Sequence, residues 1–113
     1  MQVQFNSDSS VMGTENVATR IEASVREKIA RFEDRLTRLE IHVRDENGAK
    51  GGADDKACTL EARPSGGKPI GVTAHASTVD DAARKAAGTM AQRLERHFGK
   101  GDKHRHDPRP DKA

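Results

Sequence analysis

Apolar residues recur along this chain at two spacings, every second residue and every third or fourth, and their succession predicts the elements. "MQVQF" alternates, with Met1, Val3 and Phe5 on one side, and predicts a first strand. "NSDSSVMG" predicts a loop. From Thr14, a suitable N-cap, "TENVATRIEASVREKIARFEDRL" places Val17, Ile21, Val25, Ile29, Phe32 and Leu36 at helical spacing. "RLEIHVRDE" then alternates without a fault, Leu39, Ile41 and Val43 against Glu40, His42 and Arg44, as a half-buried strand does. "NGAKGGADD" predicts a long loop. "KACTLEARP" and "PIGVTAHAS" predict two further strands, with Cys58, Leu60 and Ala62, then Ile70, Val72 and Ala74, facing inward and the turn residues "SGGK" between them. A last helix, "TVDDAARKAAGTMAQRLERHF", has Thr78 as N-cap and Val79, Ala83, Ala86, Met90 and Leu94 on its apolar face. Gly88 in its middle costs about 1 kcal/mol against alanine, which suggests packing that needs the missing side chain.

The expected fold is α+β, in the order β-α-β-β-β-α, with two helices on one face of a four-stranded sheet and the other face wet. Residues 1–98 form one domain. The final "GKGDKHRHDPRPDKA", residues 99–113, has no periodicity and is expected to be a disordered basic tail.

Composition narrows the class. In 113 residues, 33% are apolar and 34% charged, enough for one domain with a modest core. The single cysteine, Cys58, rules out an internal disulfide and fits a reducing compartment. There is no signal-peptide pattern at the start and no apolar run long enough to span a membrane, so a cytoplasmic location is expected.

Net charge is +2, and residues 99–113 carry all of it, with five Lys or Arg against three Asp. The remainder is neutral, so only the arrangement of charge bears on a polyanionic partner. With the first helix wound at about 100° per residue, Arg20, Lys28, Arg31 and Arg35 share one flank, and Glu15, Glu22 and Glu33 the other. On the second helix Lys85, Arg93 and Arg96 share a flank, while Glu95 lies beside Arg84. Charged flanks solvate helices and form pairs such as Glu27 with Arg31. Two helices polarised in the same sense, one running into a basic tail, favour a polyanion-facing surface.

Sharper motifs are weak. "GAKG", Gly48 to Gly51, matches the backbone-clamping loop of KH domains, but here it joins two strands rather than two helices. The aromatics Phe5, Phe32 and Phe98 all fall on apolar faces, leaving no exposed ring to stack bases, so RNA contact would go through phosphates and shape. Glu40, His42, Glu61 and His75 gather on the wet sheet face, where cross-strand pairing explains them better than catalysis or a metal. His104-x-His106, with His97 upstream, lies in the flexible tail without a fixed fourth ligand, and suits adventitious metal only. No catalytic residue, metal or cofactor is expected.

Residues 1–98 resemble the ribosome hibernation-promoting factor family, also described as ribosome-associated inhibitor or sigma-54 modulation proteins. The resemblance rests above all on "LEIHVRDENGAKGGADDKACTLEAR", with its acidic, glycine-containing loop and the Lys-x-Cys strand that follows. It implies a non-enzymatic bacterial protein that lodges in the mRNA and tRNA channel of the small ribosomal subunit, contacts ribosomal RNA, and silences translation under stress or in stationary phase. By position, the resemblance assigns RNA binding to Arg20, Lys28, Arg31 and Arg35 of the first helix and to Lys85, Arg93, Arg96 and Lys100 of the second. In the family's second helix an aromatic, an Asp and a Lys-Leu pair are usual, where this chain has Asp80, Arg84 and Thr89-Met90. The fifteen tail residues are too few for the dimerisation domain of long members, which implies a short form, monomeric off the ribosome. No membrane partner and no DNA-specific site are expected. The alternative is a diverged module of the same fold that binds a protein through the sheet face around His42, Glu61 and His75.

Overall fold

From Cys58 to Arg63 the segment "KACTLEARP" alternates strictly, and in the computed structural model it forms strand β3, Lys56–Pro64, in the middle of the sheet. The structure describes residues 1–7, 15–46 and 55–106, with the side chains of 15–16 and 100–106 left aside. The expected N-cap Thr14 and the Gly48–Gly51 loop lie outside the described residues.

The remaining elements are β1 (Gln2–Ser7), α1 (Glu15–Ile29), a 3-10 segment (Ala30–Arg35), β2 (Leu36–Asp45), β4 (Ile70–Ala76) and α2 (Val79–His106). The sheet runs β1-β2-β3-β4. β1 is parallel to β2, with Val3 beside Leu39 and Phe5 beside Ile41. The other two pairings are antiparallel and set Ile41, Leu60 and Val72 side by side. The α+β fold and its β-α-β-β-β-α order are as the periodicity predicts.

Ile21, Val25 and Ile29 recur every fourth residue and present one buried stripe of α1 to the sheet. They meet Leu39, Ile41, Val43, Cys58, Leu60 and Ala62. Burial pushes the Cys58 thiol up to about 12, against the pull of the Arg44 charge, so it is a small apolar core residue at neutral pH. The stripe of α2 is wider than the sequence reading, because Ala82 and Ala87 are buried beside Ala83, Ala86, Met90 and Leu94. These alanines let a long helix lie close between α1 and β4, so the chain builds its core with few large apolar residues.

Three boundaries differ from the spacing. Phe32 and Leu36 continue the helical spacing, three and then four residues on from Ile29, yet α1 ends at Ile29, the 3-10 segment follows, and Leu36 opens β2. Both side chains are still buried, so the pattern recorded burial correctly and the element wrongly. A register shift between Leu36 and Arg38 absorbs the change of direction, and the Thr37 hydroxyl donates to the Arg63 carbonyl at 3.2 Å. At the other end, α2 does not stop at Phe98 but continues to His106. Gly99 and Gly101 lower helix propensity without breaking the ladder. Pro108 is the first true breaker, and its ring disfavours helix at the residue before it. The backbone of 99–106 is therefore helical where a disordered tail is expected, and 107–113 lie outside the described residues.

Turn chemistry follows the sequence. Thr78 caps α2, its hydroxyl accepting from the Asp81 N–H at 3.0 Å. Between β3 and β4, Gly66 takes φ +73°, a conformation open to glycine at no steric cost. Gly88 is a correction: a Cβ there meets nothing within 4 Å, so no packing demands the glycine. Gly88→Ala is expected to stabilise the protein by about 0.5–1 kcal/mol, read as a higher denaturant midpoint.

Candidate nucleic-acid interface

The helix layer carries the cations, and their partners reveal which flank faces which neighbour. The Arg20 guanidinium of α1 donates to Asp80 in the first turn of α2 at 3.0 Å. Further along, Arg31 donates to Glu95 at 2.8 Å. The Arg20, Lys28 and Arg31 flank therefore borders α2, and a groove between the helices is edged by these cations. On the opposite flank Arg26 neutralises both Glu22, at 3.4 Å, and Glu33, at 3.0 Å.

Arg35 leaves the stripe. A 3-10 segment turns about 120° per residue instead of about 100°, so by Arg35 the side chain has rotated toward the apolar side. Its guanidinium sits 4.9 Å from the centroid of Phe98.

The basic flank of α2 does not face this groove. Lys85 donates to the His75 carbonyl at 3.1 Å and Arg93 to the Gly71 carbonyl at 3.4 Å, both on the edge strand β4. The spacings match: Lys85 to Arg93 rises about 12 Å along the helix, and Gly71 to His75 about 13 Å along the strand. The two cations thus cover carbonyls on the sheet's open edge, where unpaired strands invite association. Arg96 lies on the same flank and is exposed. For Lys100 only the helical backbone is described. The two basic flanks are therefore separated by the width of α2 rather than joined in one groove.

Sequence reasoning left out Arg84. With Arg20, Ile21, Ser24 and Asp80 it lines a small cleft between the helices, and it donates to Asp81 at 2.5 Å. On a helical wheel it falls among acids, and nothing in a wheel says that this side borders α1.

The outer sheet face closes on itself. Glu40 lies 3.0 Å from Arg38 and 3.4 Å from His42. Glu46 lies 3.2 Å from Arg44 and 3.1 Å from His75. Arg44 also donates to Thr59 at 3.2 Å. The expected gathering is thus two separate His–Glu pairs, with Glu61 opposite Glu40 across the strands. Among the described residues, no group of three or more His, Cys, Asp or Glu is arranged to hold a metal ion. At the far end of β2 and β3, Lys56 bridges Asp55 at 3.0 Å and Asp45 at 3.4 Å. The Asp55 hydrogen bond is the largest cause that raises the pKa of its ammonium, overcoming the desolvation that lowers it. No described helix is long and apolar enough to cross a membrane.

Known structures share this architecture. A ribosomal subunit interface protein from Coxiella burnetii superposes with a TM-score of 0.72 at 12% identity, over 88% of this chain and 99% of that one. The Protein Y N-terminal domain of Thermus thermophilus gives 0.67 at 12% identity, over 86% and 99%. At such identities the likeness shows the fold alone. No curated protein sequence matches the chain. The sequence itself is decisive, because residues 13–101 match the model of one family. The chain belongs to the sigma 54 modulation protein / S30EA ribosomal protein family.

Proposed function

We propose that this protein is a non-enzymatic ribosome-binding factor whose helix layer engages ribosomal RNA of the small subunit. It occupies the channel used by mRNA and tRNA and silences translation under stress or in stationary phase. Family membership and the two relatives, one a ribosomal subunit interface protein, support this reading.

The observation that carries it to a surface is the contrast between the two faces. On the outer sheet face Arg38 and Arg44 are each tied to a glutamate, and Arg63 is the exposed cation there with no ion pair among the described residues. On the helix layer, Lys28 and Arg96 make no ion pair among the described residues, and both are exposed. Arg20 is held by half-buried Asp80, and Arg31 by exposed Glu95 with the Phe32 ring beneath it, yet Arg20 is 55% and Arg31 61% exposed. Such pairs contribute about 0–1 kcal/mol, so an RNA phosphate displaces Asp80 from Arg20 at little cost. The RNA contacts are assigned to Arg20, Lys28 and Arg31 along the groove, Arg84 beside them, and Lys85, Arg93 and Arg96 on the far flank. Because the flanks are separate, the RNA has to span α2 to reach both.

Small subunits preloaded with mRNA and tRNA are expected to bind the protein at least about tenfold more weakly than empty ones, measured by fluorescence anisotropy of labelled protein. Equal affinity for loaded and empty subunits would place the protein outside the channel.

A further inference from the structure

The sequence reading found no exposed aromatic on which a base could stack, and the structure shows what covers the rings. Phe32 is buried and stacks on half-buried Phe98, with centroids 5.8 Å apart and planes inclined by 22°. The Arg31 guanidinium sits over Phe32 at 4.7 Å from its centroid, and the Arg35 guanidinium over Phe98 at 4.9 Å. The aromatic pair thus presents two guanidinium groups to solvent in place of its own faces.

Arg31 is restrained on two sides. The ring of Phe32 lies beneath it, and Glu95 accepts from its Nη2 at 2.8 Å, while the side chain stays 61% exposed. A guanidinium is planar, weakly hydrated and delocalised, and stacks on π-systems where an ammonium does not. Fixing it in advance removes the ordering cost of using it. Unpaired bases of RNA stack on arginine planes as they do on aromatic rings.

We propose that Arg31, seated on Phe32 and tethered by Glu95, is a stacking platform for one unstacked nucleobase of the bound RNA. This rests on the ribosomal RNA reading above and adds the ligand's chemistry: the groove takes single-stranded RNA with a splayed base rather than phosphates alone. Arg35 over Phe98 extends the same aromatic cluster toward the end of α2.

The test compares two probes of equal charge and length, a short oligoadenylate and the same chain with abasic residues, bound at low salt and followed by anisotropy. The wild type is expected to bind the oligoadenylate about tenfold or more tightly than the abasic chain. Arg31→Lys keeps the charge and loses the plane, so it is expected to lower oligoadenylate affinity to the abasic level while leaving the salt dependence unchanged. Equal binding of both probes by the wild type, or binding of neither, overturns the platform. So does an Arg31→Lys variant that still discriminates. Failure of the underlying reading shows separately, as loss of wild-type pelleting with ribosomes.

Discussion

Reversing two charges on α1, Arg20→Glu with Lys28→Glu, is expected to abolish cosedimentation with ribosomes while the protein stays folded. Lys28 has no ion pair among the described residues, so its reversal removes no native contact of that kind. Arg20 has one exposed pair, to Asp80, and a glutamate in its place adds a repulsion of similar size, about 1 kcal/mol. Binding has far more to lose. Each reversal deletes a phosphate contact and sets an anion against the RNA, and the salt sensitivity of such contacts implies a fall of about 100-fold or more at low salt. Arg31 and Arg35 are the more obvious pair on the helical wheel, but the Arg35 guanidinium packs on Phe98, so reversing it would confuse binding with packing. The matched control is His42→Ala with His75→Ala on the outer sheet face, where binding is expected to be retained. If pelleting survives the α1 reversal and is lost in the histidine variant, the sheet face is the docking surface and the protein-partner alternative stands.

Leu60→Ala is expected to lower stability by about 3 kcal/mol, within the range of about 2–5 kcal/mol for such truncations. Leu60 is fully buried on β3, with Ile41 on one side and Val72 on the other, under the helix layer. With so many alanines in the α2 stripe, the large side chains of the sheet supply much of the buried area, and the backbone of a central strand cannot move inward to fill the hole. Urea unfolding checks this: the midpoint falls by roughly 1–2 M while the slope is unchanged. A loss under about 1 kcal/mol would mean that the inner face is not packed as described.

How much of this was legible depended on what each residue's spacing encodes. β3 is legible to the residue, because it alternates strictly from Cys58 to Arg63, with Ala57 as the one extra buried position, and a glycine-rich stretch bounds it on each side. The α2 start was read from Thr78, and the Thr78 hydroxyl does cap the helix. Phe32 and Leu36 mislead, since a three-and-four-residue spacing reports burial on one side and not whether the backbone between is α, 3-10 or extended. Gly88 misled in the opposite direction, suggesting a tight approach where there is open space.

For the interface, the wheel put Arg20, Lys28 and Arg31 on one flank but misplaced Arg35, which the 3-10 winding carries onto Phe98, and it held no information on neighbours. Arg20 and Arg31 turned out to border α2, through Asp80 and Glu95, while Lys85 and Arg93 reach the β4 edge. That separation, the place of Arg84 beside Arg20 and the tie from Arg31 to Glu95 are properties of packing between elements distant in sequence. None of them has a signature within a single helix.

The central claim, a helix layer that binds the ribosome through cations, is tested most directly by pelleting the wild-type protein with ribosomes at about 50 and then about 300 mM monovalent salt. Several phosphate contacts lose orders of magnitude in affinity across that range, so stoichiometric pelleting at the lower salt and its loss at the higher is the expected result. Absence of pelleting at both would contradict ribosome binding, and undiminished pelleting at both would contradict the electrostatic surface.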